Sequence, residues 1–192
     1  MEEGKLNLSV EGKNHFCIKN ASTKDIIAAV NADFSEAFVF EPDFDWAFLY
    51  GEEESKEKRF LLLPSNENWT YLIWNVQDFK ENSLMATSLS KKIDCEICYI
   101  FIDPWIATCG WTIADRGETT RSYYESHGQV LVDEGNSEIE NTIRNQIKAV
   151  DGDNEWWEDK FWKLYKELTV PISQLNAYQS IEAIKGNLVG LL

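Results

Sequence analysis

The chain of 192 residues is 44% hydrophobic and 13% aromatic, which suits one packed domain over residues 1–192 and excludes a disordered chain. Its 18 Lys and Arg stand against 33 Asp and Glu, so the formal net charge is -15. This charge repels nucleic acids and anionic membranes at long range, and we expect neither as a partner.

Residues 14–65 predict a β-α-β-β-β unit. The first strand covers 15–19, and Ser22 or Thr23 is placed to cap a helix, because a hydroxyl accepts a hydrogen bond from an amide of the first turn. Apolar residues then recur at helical spacing: Ile26, Ile27, Val30 and Phe34. Three further strands are predicted at 36–40, 46–50 and 59–63.

Residues 69–134 predict a second unit with the same order of elements. A strand at 69–76 precedes a helix at 83–93, for which Asn82 or Ser83 is the predicted cap. The strands that follow are predicted at 95–102, 108–114, 119–125 and 129–132. Short turns between consecutive strands favour antiparallel pairing. We therefore predict an α+β fold with a duplicated β-α-β-β-β unit and a mostly antiparallel sheet.

Residues 137–192 show helical periodicity, which predicts a C-terminal segment of helices outside the repeat. These helices are predicted at 137–148, 154–168 and 172–184. Trp156 and Trp157 are neighbours, and neighbouring side chains on a helix point about 100° apart. Both rings cannot lie on the centre of one buried stripe, so Trp156 is predicted to lie at a second interface. The sequence leaves a monomer and a homodimer open.

The sequence offers little catalytic or metal-binding equipment. Cys95 and Cys98 have the spacing of a zinc ligand pair, but both fall in a predicted strand, where positions three apart face opposite sides of the sheet. The two histidines, His15 and His127, are far apart in sequence, and the chain has no glycine-rich phosphate loop. We expect no catalytic residues, no metal and no cofactor.

The first residues, the lack of long apolar stretches and the small number of cysteines predict a cytoplasmic protein. The first residues contain no basic segment followed by an apolar run, and no apolar stretch approaches the length of a membrane span. Four cysteines are too few for a disulfide scaffold in a chain of this length, so we expect reduced thiols.

Two predicted loops concentrate negative charge, and such loops attract basic proteins by long-range electrostatics. Together with the second tryptophan interface they supply the predicted partner-binding residues: Asp43, Asp45, Glu52, Glu53, Glu54 and Trp156.

The run GWTIADRGETTRSY at residues 110–123 resembles a strand-turn-strand pattern in small uncharacterised bacterial proteins, some of which are similar to immunity proteins of polymorphic toxin systems. The resemblance implies an acidic, aromatic-rich binder that blocks a basic toxin or nuclease domain by covering its active surface.

Charge, composition and this resemblance lead to one main hypothesis, a non-catalytic bacterial protein that binds a basic protein partner. The alternative is an enzyme or a small-molecule-binding protein whose pocket lies between the two repeats, because paired units commonly leave a cleft.

Overall fold

One antiparallel sheet organises the described part of the chain. The computed structural model describes residues 14–30, 32–40, 59–64, 69–103, 106–151, 157–168 and 181–188. The strands are β1 His15–Lys19, β2 Ala32–Phe40, β3 Arg59–Pro64, β4 Trp69–Trp74, β5 Glu96–Asp103, β6 Thr108–Asp115, β7 Glu118–Ser126, β8 Gln129–Gly135 and β9 Ile181–Leu188. The helices are α1 Thr23–Ala29, α2 Phe79–Ile93, α3 Glu138–Asp151 and α4 Trp157–Leu168.

These strands lie in the order β2-β9-β3-β4-β1-β5-β6-β7-β8, and every neighbouring pair is antiparallel. The predicted α+β class and antiparallel sheet are therefore confirmed. The predicted strand at 46–50 lies outside the described residues.

The C-terminal prediction was wrong in one element. A helix was predicted at 172–184; residues 172–180 lie outside the described residues, and Ile181–Leu188 is strand β9, inserted between β2 and β3. Ala183 packs into the cluster on one face of the sheet and Ile184 against the cluster on the other. Such alternation is the signature of a strand, and pairing with two distant strands outweighs the local helical pattern.

The predicted duplication is not confirmed by the strand order. In the second unit β5, β6 and β7 lie side by side, whereas in the first unit β9 separates β2 from β3. The two helices differ as well, since α1 ends at Ala29 and Phe34 belongs to β2. The described elements of the two units therefore do not occupy equivalent places in the sheet.

Helices cover both faces of the sheet. On one face α1 and α2 cover a cluster that includes Phe16, Leu72 and Tyr99. On the other face α3 and α4 cover a cluster that includes Cys17 and Trp111. The central strands β1 and β4 are apolar on both sides because each face must be buried.

The C-terminal helix α4 is joined to the central strand by a buried polar contact. Its residues Phe161, Leu164 and Tyr165 are buried against the sheet. The hydroxyl oxygen of Tyr165 lies 2.7 Å from Nε2 of His15, which is fully buried in β1. His15 is thus part of the core on this face, where its ring nitrogen has a hydrogen-bond partner.

Helix α2 begins four residues earlier than predicted, at Phe79, because Asp78 caps it by accepting a hydrogen bond from the amide of Glu81. Asn82, one of the predicted caps, is instead fully buried. Its Oδ1 accepts from Nε1 of Trp74 at 2.7 Å, and its Nδ2 donates to the hydroxyl of Tyr99 at 3.1 Å. These bonds satisfy polar groups between α2 and the sheet.

The Asn82 network predicts a large cost for removing the amide. Asn82→Ala leaves Trp74 Nε1 without its acceptor in the core, and we expect the free energy of unfolding to fall by about 2–4 kcal/mol. The midpoint of urea denaturation measures this, with an unchanged slope showing that the native state stays compact. Lys80→Ala, an exposed position on the same helix, is the control and should change stability by less than about 0.5 kcal/mol. Equal effects of the two substitutions would contradict the structural role of Asn82.

Candidate partner-binding surface

Strand β8 forms one edge of the sheet and is the most exposed of its strands with described side chains. Six of its seven residues are exposed, and the seventh, Val132, is half-buried. Val130 and Leu131 remain 47% and 52% exposed, so two large apolar residues that are adjacent in sequence lie at this edge. No other described strand pairs with its outer edge.

A tight turn sets the position of β8 beside β7. His127 and Gly128 both have positive φ, at 52° and 75°, and join Ser126 to its partner Gln129. Two central residues with positive φ are typical of the turn that matches the twist of a hairpin. The strand ends at Gly135, where φ is 74° and a Cβ would collide with the carbonyl oxygen of Thr120.

A bulge interrupts the β7–β8 pairing. Tyr124 pairs with Val132 and Glu125 with Val130, so Leu131 has no opposite residue. A bulge at a sheet edge redirects the extra side chain and increases the local twist. Leu131 is therefore the unpaired residue at this edge, and the pairing register of β7 with β8 shifts by one residue across it.

A buried ion pair fastens this edge to α3. The guanidinium of Arg121, on β7, donates from Nε and Nη2 to the two carboxylate oxygens of Glu140, at 2.6 and 2.7 Å. Both side chains are only 4% exposed. Nη1 of Arg121 also donates to Oδ1 of Asp133 at 2.6 Å and to the carbonyl of Glu134 at 3.0 Å. One arginine thus links β7, β8 and α3.

Aromatic rings and a second arginine complete the surroundings of Glu140. Nε1 of Trp111 donates to Oε2 at 3.1 Å, and Nη2 of Arg144 donates to Oε1 at 2.9 Å. The ring of Tyr123 stacks on Trp111 at 4.5 Å between centroids and lies 5.4 Å from the guanidinium of Arg121. The carboxylate of Glu140 therefore has several donors and is well compensated despite its burial.

The pKa values of Glu140 and Arg121 follow from the contacts of the two side chains. Burial alone raises the pKa of Glu140, but the hydrogen bonds and positive charge of Arg121, with Trp111 and Arg144, lower that pKa below its ordinary value. Burial lowers the pKa of Arg121, but the hydrogen bonds and negative charges of Glu140 and Asp133 raise it overall. Both groups are charged at neutral pH.

Burial raises the pKa of Tyr123 well above its ordinary range, and the hydrogen bond from its hydroxyl to the carboxylate of Glu125 adds to the shift. The phenol is therefore neutral at physiological pH, and it acts here as a hydrogen-bond donor.

The edge of the sheet beside this junction is acidic and partly apolar. It consists of the exposed residues of β8 and of the first turn of α3, and we name it the β8 surface: Val130, Leu131, Asp133, Glu134, Glu138 and Ile139. Residues 129–143 contain no Lys or Arg. The two arginines nearby in the fold, Arg121 and Arg144, both donate to buried Glu140. The exposed carboxylates thus dominate the charge of this surface.

The structure does not test the partner-binding residues predicted from the sequence. All of them lie outside the described residues: Asp43, Asp45, Glu52, Glu53, Glu54 and Trp156. The β8 surface was missed, although its signal is visible as a His-Gly turn followed by three apolar residues and two acids.

The cysteine pair behaves as the strand pattern predicted. Cys98 is buried in the cluster under α3 and α4, whereas Cys95 packs against the cluster under α1 and α2. Burial and the nearby Asp115 raise the pKa of Cys95 to about 11, and burial raises the pKa of Cys98 well above its ordinary value. Both thiols stay protonated at neutral pH, which disfavours nucleophilic chemistry.

Across 14–30, 69–103 and the other described ranges, no three His, Cys, Asp or Glu side chains converge as metal ligands. In the same part of the chain, every helix is too short or too polar to cross a membrane.

Comparison of the chain with protein-family models, with curated proteins and with solved structures finds no match.

The junction beneath the β8 surface predicts a strong effect of neutralising Glu140. Glu140→Gln leaves Arg121 buried beside a neutral group, and we expect a loss of about 3 kcal/mol in the free energy of unfolding at pH 7. Urea denaturation measures the loss, and Glu138→Gln, exposed on the same helix, should change stability by less than about 0.5 kcal/mol.

The pH dependence of this loss has a fixed sign. Because folding lowers the pKa of Glu140, its contribution is complete above the ordinary value of 4.5 and disappears as the pH falls through the folded value. The difference between wild type and Glu140→Gln should therefore shrink below pH 4.5. A difference that is constant from pH 7 to pH 3 would contradict a charged Glu140 in the folded protein.

Proposed function

We propose that this chain is a non-catalytic protein that binds a basic protein partner through the β8 surface. One observation carries the proposal: an exposed edge strand combines large apolar side chains with carboxylates, and the nearby arginines face inward to Glu140. An exposed apolar patch rimmed by charged groups is typical of a protein interaction site.

The apolar residues supply affinity in this proposal. Val130, Leu131 and Ile139 are each about half exposed, and burying the exposed part of such a side chain contributes about 1 kcal/mol. A rigid support matters as well, because an ordered surface loses little entropy on binding. The ion pair between Arg121 and Glu140 provides that support beneath Asp133.

The carboxylates supply selectivity. With a net charge of -15, the chain attracts basic proteins at long range and repels acidic ones. Asp133, Glu134 and Glu138 place part of that charge beside the apolar residues, where it orients an approaching partner.

The class of partner that we propose follows the resemblance of residues 110–123 to proteins similar to immunity proteins. These residues span most of β6, the turn after it and the first part of β7, and β7 is the direct neighbour of β8. A basic toxin or nuclease domain in the cytoplasm of a bacterium is the partner that the resemblance suggests.

The alternative of an enzyme with a pocket between two repeats has less support. It required two equivalent units, and the strand order does not place their described elements in equivalent positions. No described feature favours it over a binding surface.

The proposal predicts that reversing charge on the β8 surface abolishes capture of a basic partner. The double variant Glu134→Lys and Glu138→Lys should recover at least about tenfold less of any basic protein that wild type retains from its native lysate, because rim charges control association. Quantitative mass spectrometry of the eluates at low and at moderate salt measures the recovery. Wild-type capture should fall as salt increases.

A matched control separates this surface from net charge. Glu118→Lys with Glu167→Lys makes the same change in charge at exposed positions on β7 and α4 that are not part of the β8 surface. This control should retain the partner. If both double variants reduce capture equally, the effect is a nonspecific effect of charge. If wild type captures no basic protein in a salt-sensitive manner, the proposed function is refuted.

A further inference from the structure

The outer edge of β8 suggests how the partner binds. We propose that the basic partner adds an extended strand to β8, so that main-chain hydrogen bonds through Asp133 continue the sheet by one strand. The inference rests on the proposed function, and it adds the binding mode and the chemistry of the bound segment. Strand addition to an exposed edge is an established mode of peptide recognition.

The direction of the main-chain groups follows from the contacts of β7 and β8. Nη1 of Arg121 lies within 3.0 Å of the carbonyl oxygen of Glu134 and 3.4 Å of that of Ser122. These two residues are opposite each other, so both carbonyls point into the space between the strands. The amide of Asn136 likewise donates inward to the carbonyl of Thr120 at 3.2 Å.

Main-chain groups alternate along a strand between its two edges. Because Glu134 points towards β7, its neighbour Asp133 presents its amide and carbonyl on the outer edge, away from β7. These are the groups that an added strand would bond. The amide and carbonyl of Val132, which pairs with Tyr124, point towards β7 again. The Val132 amide therefore serves as an internal reference for the Asp133 amide.

The side chains of β8 favour a basic strand over a second copy of this chain. Charged residues and a bulge at an edge protect a sheet against pairing with itself. Here Asp133, Glu134 and the bulge at Leu131 serve that purpose, since two copies carry -15 each. The same carboxylates favour a strand with Lys or Arg, because charge pairs across neighbouring strands are stabilising.

Asp133 is placed to contact such a strand without leaving its internal partner. Its Oδ1 accepts from Arg121, while its side chain is 54% exposed. A carboxylate has a second oxygen for a partner cation, and Val130 and Leu131 offer apolar contact to the alternate side chains of the added strand. We therefore infer a bound segment in which basic and β-branched residues alternate.

The test uses a synthetic peptide of about eight residues in which lysine and valine alternate, the length of an ordinary strand. Hydrogen exchange of individual amides in the full chain is followed by nuclear magnetic resonance. At a peptide concentration of ten times its dissociation constant, exchange of the Asp133 amide should slow about tenfold, because only the unbound fraction exchanges there. The Val132 amide should change much less, since it already faces β7.

A peptide that alternates lysine and glycine is the matched control. It carries the same charge but has a low preference for extended structure, so it should protect Asp133 at least about threefold less at the same concentration. The variant Glu134→Lys with Glu138→Lys should weaken protection by the lysine-valine peptide, while Glu118→Lys with Glu167→Lys should not.

Three results would overturn strand addition. The first is an absence of binding by the lysine-valine peptide. The second is binding that leaves exchange at Asp133 unchanged, which would indicate contact through side chains only. The third is protection of Asp133 without peptide in a dimer detected by sedimentation, which would make a second copy the occupant. The proposed function is judged separately, by capture of a basic protein from the lysate.

Discussion

The bidentate ion pair between Arg121 and Glu140 connects the sheet edge to the helix that covers it. A buried charge pair is costly to desolvate, and it persists only where further hydrogen bonds satisfy both groups. Here Trp111 and Arg144 donate to Glu140, and Arg121 also reaches Asp133 and two main-chain carbonyls. Without this junction, the described contacts of β8 would be mainly its main-chain pairing with β7. A hairpin held by such pairing alone is only marginally stable.

The central strands are almost fully buried, whereas β8 at this edge is almost fully exposed. β1 and β4 are apolar on both faces because helices cover both sides, so a substitution there acts through packing. At β8 nearly every residue is exposed, and a substitution there changes the surface while leaving the core intact. A surface supported in this way can vary its side chains at small cost to folding. Recognition at the edge is therefore compatible with a core that tolerates little change.

Local patterns in the sequence predicted most described elements, because strands such as His15–Lys19 and helices such as Glu138–Asp151 carry clear periodicity and turn residues. They failed where tertiary contacts decide the outcome. Ile181–Leu188 has apolar residues that fit either periodicity, and only its pairing with β2 and β3 makes it a strand. Asn82 resembles a helix cap in sequence but is a buried partner of Trp74 and Tyr99. The edge position of β8 depends on the complete strand order, so its own residues indicate a turn and a strand but not that the strand lies at an exposed edge.

In the proposed function, this arrangement of charge lets an acidic protein select a partner instead of attracting every cation equally. Positive charge near β8 is directed inward, since Arg121 and Arg144 both donate to Glu140, and the negative charge that remains is exposed beside apolar side chains. A diffuse negative field raises encounter rates with any basic protein, but it defines no orientation. Carboxylates held at fixed spacing on a strand do define one, because cross-strand pairs form only in a particular register. Selectivity at such an edge comes from the long-range electrostatic field together with the register of the paired strands. Buried Arg121 affects the field by neutralising Glu140, and it affects the register by holding Asp133 in place.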